Sequence, residues 1–236
     1  MRYICTSIVA IASFSITGIS LGNFWAPTSV ELHGQASGDY FGDSVAIDGD
    51  TCVIGAMLAN SGAGSAYVYT SDASGVWSQV AALTASDGAS NNYFGYSVAI
   101  DGDTCVIGGS GSAYVFTSDA SGNWSQVAAL TASDGSGDQF GHSVAIDGDT
   151  CVIGAWGTNS YAGNAYVFTP DGSGNWSQVA ELNGQASKGQ FGYSVAIDSD
   201  TCVIGAYIAG SAYVYTSDAT GNWSPVSKPT DAASSD

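Results

Sequence analysis

The chain has 236 residues, 45% of them hydrophobic, and carries 21 acidic residues against 3 Lys and Arg, for a formal net charge of −18. A field this negative excludes nucleic acid and anionic membrane surfaces as partners. Its 32 glycines and 13 tyrosines suit turns and strands better than helices.

The first element is MRYICTSIVAIASFSITGISLG, residues 1–22. Arg2 supplies a short positive region, Ile4 to Leu21 is mostly apolar, and Ser20 and Gly22 are small residues suited to cleavage. That pattern predicts a secretory signal peptide; the rival reading, one membrane anchor, needs a longer and less interrupted apolar run. Cys5 falls within this segment. Beyond it no run of about 18 apolar residues occurs, so no membrane span is expected after cleavage and the mature chain is expected outside the cell. A strand-like piece follows over 25–32, and the polar residues 229–236 are expected to form a disordered tail.

Between them Phe-Gly recurs at Phe41, Phe94, Phe140 and Phe191, spacings of 53, 46 and 51 residues. A period near 50 marks a repeat architecture. Four strand-like pieces follow each Phe-Gly in one order: SVAI, TCVIG, AYVY or AYVF, and WSQVAAL or a close variant, the last degraded to WSPV at 223–226. Each is rich in Val, Ile and aromatic residues and is bounded by Gly, Asp, Asn or Ser. Four short antiparallel strands per repeat make a propeller blade. The expected fold is an all-β propeller over 23–228, with blades at about 41–83, 94–130, 140–182 and 191–226. It is either a closed small ring or an open arc. The 25–32 strand would compete with 223–226 for one place, or lie next to it at an open seam, since Pro225 removes a ladder donor and belongs at an edge.

The match of Phe-Gly, Ser-Val-Ala-Ile, Val-Ile-Gly-Ala and Ala-Tyr-Val-Tyr/Phe in four in-phase copies resembles the FG-GAP repeat, the blade unit of integrin alpha-subunit propellers. The resemblance implies a secreted or surface-exposed recognition module and no particular catalytic activity. Two departures stand out: the Pro of Gly-Ala-Pro is replaced by Met57, Ser110, Trp156 and Tyr207, and there are four repeats where integrins have seven.

Asp48 and Asp50, Asp101 and Asp103, Asp147 and Asp149, and Asp198 and Asp200 are the calcium candidates. Two carboxylates one residue apart in a short hairpin are few for an ion needing six to eight oxygens. The favoured reading is a solvated four-residue loop, independent of glycine because the fourth copy has Ser199; no cofactor is expected, with calcium as the alternative. Cys52, Cys105, Cys151 and Cys202 fill one strand position in successive blades. Stacked sheets lie about 10 Å apart, beyond the roughly 7 Å Cα separation a disulfide spans. They are expected to be buried free thiols. Asn123 and Asn175 head glycosylation sequons that double as turn residues.

No enzyme is expected. His142 sits in a slot held by Asp43, Tyr96 and Tyr193 elsewhere and reads as a variable surface position, while Glu31 and Glu181 are equivalent rather than converging. The loops between second and third strands vary most, which suits recognition. Met57, Asn60, Trp156, Asn159, Tyr161 and Tyr207 are the candidate ligand-binding residues, for an extracellular protein or glycan. The alternative is a structural repeat protein that self-associates as a homo-oligomer through open blades; further behind come a calcium-dependent adhesion module and part of a hydrolase.

Overall fold

The computed structural model describes residues 30–134 and 139–226. The signal-peptide and tail expectations therefore lie outside the described residues. So does most of the 25–32 strand; residues 30–32 carry no strand.

Among the described residues, sixteen strands form four antiparallel sheets, each in simple sequential order. The first sheet is β1 (Phe41–Asp48), β2 (Thr51–Ala56), β3 (Ser65–Ser71) and β4 (Trp77–Leu83). The second is β5 (Ser97–Asp101), β6 (Thr104–Gly108), β7 (Ala113–Ser118) and β8 (Trp124–Leu130). The third is β9 (Phe140–Asp147), β10 (Thr150–Ala155), β11 (Asn164–Pro170) and β12 (Trp176–Asn183). The fourth is β13 (Phe191–Asp198), β14 (Thr201–Ala206), β15 (Ser211–Ser217) and the short edge strand β16 (Trp223–Pro225). The architecture is the four-bladed all-β propeller type expected from the repeats.

Turn chemistry repeats with the strands. Between third and fourth strands, Asp72 Oδ1 accepts the backbone N–H of Ser74 and of Val76 at 2.8 and 3.0 Å. Asp119, Asp171 and Asp218 do the same in their repeats. These bonds favour the charged form; backbone donors hold Asp72, Asp119 and Asp171 below the usual carboxylate range, and for Asp218 the Thr220 hydroxyl leads. Asn123 and Asn175 point their amides back at Asp119 and Asp171, so both sequons carry turn contacts.

The first hairpin differs from expectation. Asp48 pairs with Thr51, so the loop is two residues long, and Gly49 adopts φ +51. Gly102 and Gly148 follow at +53 and +54, and Ser199 takes the same left-handed conformation at +58. The loop therefore does call for a left-handed residue, which a side chain reaches only with strain. The first aspartate of the first three pairs also turns out to reach the next sheet. Asp48 Oδ2 accepts the N–H of Gly102 at 2.8 Å, Asp101 Oδ2 that of Gly148 at 2.7 Å, and Asp147 Oδ2 that of Ser199 at 2.7 Å.

Within His33–Asp236 the sheets stack in series. One face of each sheet carries the Val of the second and third strands; the other carries the Ile and Cys of the second strand and the Tyr or Phe of the third. Val53 and Val68 of the first sheet pack with Ile107 and Tyr114 of the second. Val106 and Val115 meet Ile153 and Tyr166, and Val152 and Val167 meet Ile204 and Tyr215. Those are three joints; among the described residues no buried cluster unites the fourth sheet with the first.

The four cysteines among the described residues carry free thiols, as expected. Burial pushes Cys105 and Cys151 far up and Cys202 up to about 11. Cys52 corrects the expectation of uniform burial. It is only half-buried, because among the described residues no sheet precedes the first to cover it.

Candidate functional site

The rim carrying the second-to-third-strand loops is built by a repeated irregularity. Phe41 pairs with Ala56 and Val45 with Ile54, so three residues of β1 face only one of β2. The bulge, with Gly42 at φ +90, turns the residue after Phe-Gly outward to the rim. That slot holds Asp43, Tyr96, His142 and Tyr193. A second slot, immediately after the second strand, holds Met57, Ser110, Trp156 and Tyr207.

The two slots merge into one row of rings. Tyr96 lies 5.1 Å from His142, centroid to centroid, and His142 lies 4.8 Å from Tyr193. Tyr193 stacks on Tyr207 at 4.9 Å and 26°. Trp156 touches His142 at 5.7 Å and Tyr193 at 6.2 Å, and stacks on Tyr161 at 5.9 Å and 24°. The row crosses the second, third and fourth sheets. Beside it a hollow of about 230 Å³ opens between Tyr93, Tyr96, Gly109, Ser110, Gln139 and His142.

The structure thus gathers Trp156, Tyr161 and Tyr207 from the candidates and adds Tyr96, His142 and Tyr193. His142 is half-buried among rings rather than a free surface position. The signal for the added residues was the column after Phe-Gly, read across repeats. Met57 is half-buried in the slot equivalent to Trp156 and Tyr207. The two asparagines shape their own loops. Asn60 adopts φ +54 and donates to Ser65 Oγ at 2.9 Å; Asn159 adopts φ +50 and donates to Asn164 Oδ1 at 3.1 Å. Both are exposed. Left-handed residues cluster in these loops, Ser61, Ser160 and Tyr161 included, a kind of strain that concentrates at binding sites. Beneath the rim, Asn164 is fully buried and donates to Tyr166 Oη and Glu181 Oε1, which fixes the third-sheet loop.

Among the described residues no group of three His, Cys, Asp or Glu is placed to hold a metal ion. Several carboxylates of the Asp pairs hold protein donors: Asp50 Oδ1 accepts the Ser71 hydroxyl at 3.2 Å and Asp200 Oδ1 the Thr201 hydroxyl at 3.0 Å.

The FG-GAP repeat model matches residues 33–69, 77–116, 124–168 and 176–215. The chain belongs to the FG-GAP repeat family. Each match after the first begins on a fourth strand and ends on the next sheet's third strand, so the FG-GAP unit straddles a joint between sheets. No curated protein matches the chain. Solved structures share the fold. One, a protein from Lactobacillus plantarum, has a TM-score of 0.53 at 16% identity, over 78% of this chain and 55% of its own. Another, named as a putative 6-phosphogluconolactonase from Bacteroides uniformis, has a TM-score of 0.59 at 11% identity, over 79% and 56%. The FG-GAP chain therefore spans little more than half the length of either.

The row makes a pH prediction. Burial pushes the His142 imidazole below its ordinary value. The unfolded chain, with a value of about 6.5, binds that proton more readily than the folded one. The contribution is whole above about pH 6.5 and is lost as pH falls toward the lower folded value. Melting temperature should drop between pH 7.5 and pH 5, and the drop should shrink in His142→Tyr, which installs the residue of the second and fourth repeats. An unchanged pH profile in that variant would show that the buried imidazole is not the source.

Proposed function

We propose that this FG-GAP chain is an extracellular, non-enzymatic recognition module that binds a glycan or protein through the aromatic rim. The observation that supports it is the continuous row Tyr96–His142–Tyr193–Tyr207, with Trp156 and Tyr161 alongside. Tyr161 and Tyr207 are well exposed, and rings of this kind present apolar faces with polar tips. Sugar rings stack on such faces. Asp43, at the end of the row and close enough to help raise the Tyr96 hydroxyl, adds a carboxylate acceptor for hydroxyl donors. His142 is the one imidazole in the row and is hemmed by Tyr96, Tyr193 and Trp156, an arrangement suited to ring packing rather than proton transfer.

The test is a screen of immobilised glycans and of cell-surface proteins, repeated with Trp156→Ala and Tyr207→Ala. Each variant should weaken a captured ligand at least tenfold, since an aromatic anchor is commonly worth 2 kcal/mol or more. Ligands bound equally well by both variants would remove the rim as the site.

A further inference from the structure

We infer that copies of this chain associate head to tail, the fourth sheet of one copy docking on the first sheet of the next and repeating the joint the chain already makes three times internally. The socket it uses shares Tyr193 and Tyr207 with the rim row, but Trp156 does not line it, so Trp156→Ala separates this inference from the rim reading.

Among the described residues, several components of the joint recur at the two ends without a partner. Val53, Val106 and Val152 are fully buried by the following sheet, whereas Val203 at the same position is 40% exposed. On the opposite face, Val98 is covered by the preceding sheet at 8% exposure, whereas Val45 is 65% exposed. The first aspartates of three hairpins accept an N–H from the next sheet; by register Asp198 is the fourth acceptor and Gly49 N–H the donor that would meet it.

The backbone shows the same pattern. A Cβ placed on Gly55, Gly108 or Gly154 would run into the carbonyl oxygen of Gly95, Gly141 or Gly192 in the next sheet. On Gly205 it would meet only Ser194 of its own sheet, and on Gly42 it would meet nothing within 4 Å. Gly192 lies against Asn164 and Ala155 of the preceding sheet. The equivalent residues of the fourth sheet, Ser211 and Ala206, line an open hollow of about 410 Å³. That hollow is the socket for a Phe-Gly, and among the described residues Phe41–Gly42 is the Phe-Gly with no preceding sheet, only Gly34 lying against the Phe41 ring.

A contact between two different surfaces is heterologous. It closes into a ring or runs on as a filament. Two copies joined at both ends would supply eight sheets, the upper end of the usual propeller range. Two bodies of charge −18 repel, so association should strengthen as salt rises and the Debye length shortens from about 30 Å at 0.01 M to about 10 Å at 0.1 M.

The test is sedimentation velocity on the whole chain over a range of concentrations and at two salt levels. The wild type should shift to larger species with concentration. Val45→Glu, Val203→Glu and Gly205→Ala should each weaken this at least tenfold. At low concentration the two valine variants should melt as the wild type does and Gly205→Ala only slightly below it, because these positions face open space or a movable hydroxyl. An equimolar mixture of Val45→Glu and Val203→Glu should give a dimer and nothing larger, since one copy keeps a good fourth sheet and the other a good first sheet. Labelling of the half-buried Cys52 thiol should slow as wild-type concentration rises, and Trp156→Ala should associate like the wild type. A wild type that stays monomeric throughout, with Cys52 labelled at one rate or protected at every concentration, overturns the inference. That outcome would mean the chain closes on itself or covers these faces with its own terminal residues. A mixture of the two valine variants that fails to pair also overturns it.

Discussion

Gly154→Ala should be among the most damaging single substitutions in this protein, although it adds only one methyl. The new Cβ would land on the carbonyl oxygen of Gly192 and on Ser143 Oγ. The serine hydroxyl can swing aside. The carbonyl belongs to the backbone of the next sheet and cannot move without opening the joint. Overpacking a rigid site costs about 1–3 kcal/mol, and a backbone obstacle places this case at or above the upper end. For a domain of this size each kcal/mol lowers the melting temperature by about 2–4 °C, so a loss on the order of 10 °C is expected. Gly154 is not in a left-handed conformation, so the effect is steric. Gly205→Ala is the internal control: the position is equivalent, only Ser194 of the same sheet stands in the way, and the expected loss is under about 1 kcal/mol. Thermal melts of both variants at low concentration decide the matter. Equal losses would mean that these glycines are needed within a sheet and not between sheets.

That contrast also marks where reading the chain alone stops. The strands were legible because Val, Ile, Tyr and Phe fall between turn residues four times over, and the repetition removes the ambiguity of any one copy. The joint was not legible. Its aspartate hydrogen bonds connect residues 47 to 54 apart, as in Asp48 with Gly102 and Asp101 with Gly148, and nothing in one repeat says where the next repeat's amides will lie. The Asp-x-Asp pairs were weighed as a turn against a cation site, and contact between sheets was a third role visible only once the sheets were stacked. The site shows the same limit. His142 looked variable because its column reads Asp, Tyr, His, Tyr, yet the last three residues of that column touch in sequence across three sheets. Trp156 and Tyr207 were visible because their loops differ in length and composition. The residues they rest on belong to the constant scaffold, where a search for variable loops does not look. Ser199 in place of glycine points to a turn independent of glycine, yet it occupies the left-handed position all the same, in the two-residue turn set by the pairing of Asp198 with Thr201.

The second large effect separates the sheets from the joints. Phe140→Ala removes a fully buried ring that packs against Tyr166 at 5.5 Å and Phe168 at 6.0 Å, inside the core shared by the second and third sheets. Truncations of this kind cost about 3–5 kcal/mol. Phe41 makes the same pair of ring contacts within its own sheet, with Tyr67 at 5.7 Å and Tyr69 at 6.3 Å, but is only half-buried, with no sheet before it among the described residues. Phe41→Ala should therefore cost about half as much or less. The form of the unfolding curve should differ as well. Where each repeat touches only its neighbours, stability is a sum of units and interfaces, and weakening a central interface uncouples what lies on either side. Urea unfolding of Phe140→Ala should broaden or split, with the first two sheets and the last two losing structure at different concentrations, while Phe41→Ala keeps one transition at a lower midpoint. A single sharp transition in both variants, with equal shifts, would mean that the four sheets unfold as one block whose cooperativity does not pass through the Phe-Gly joints.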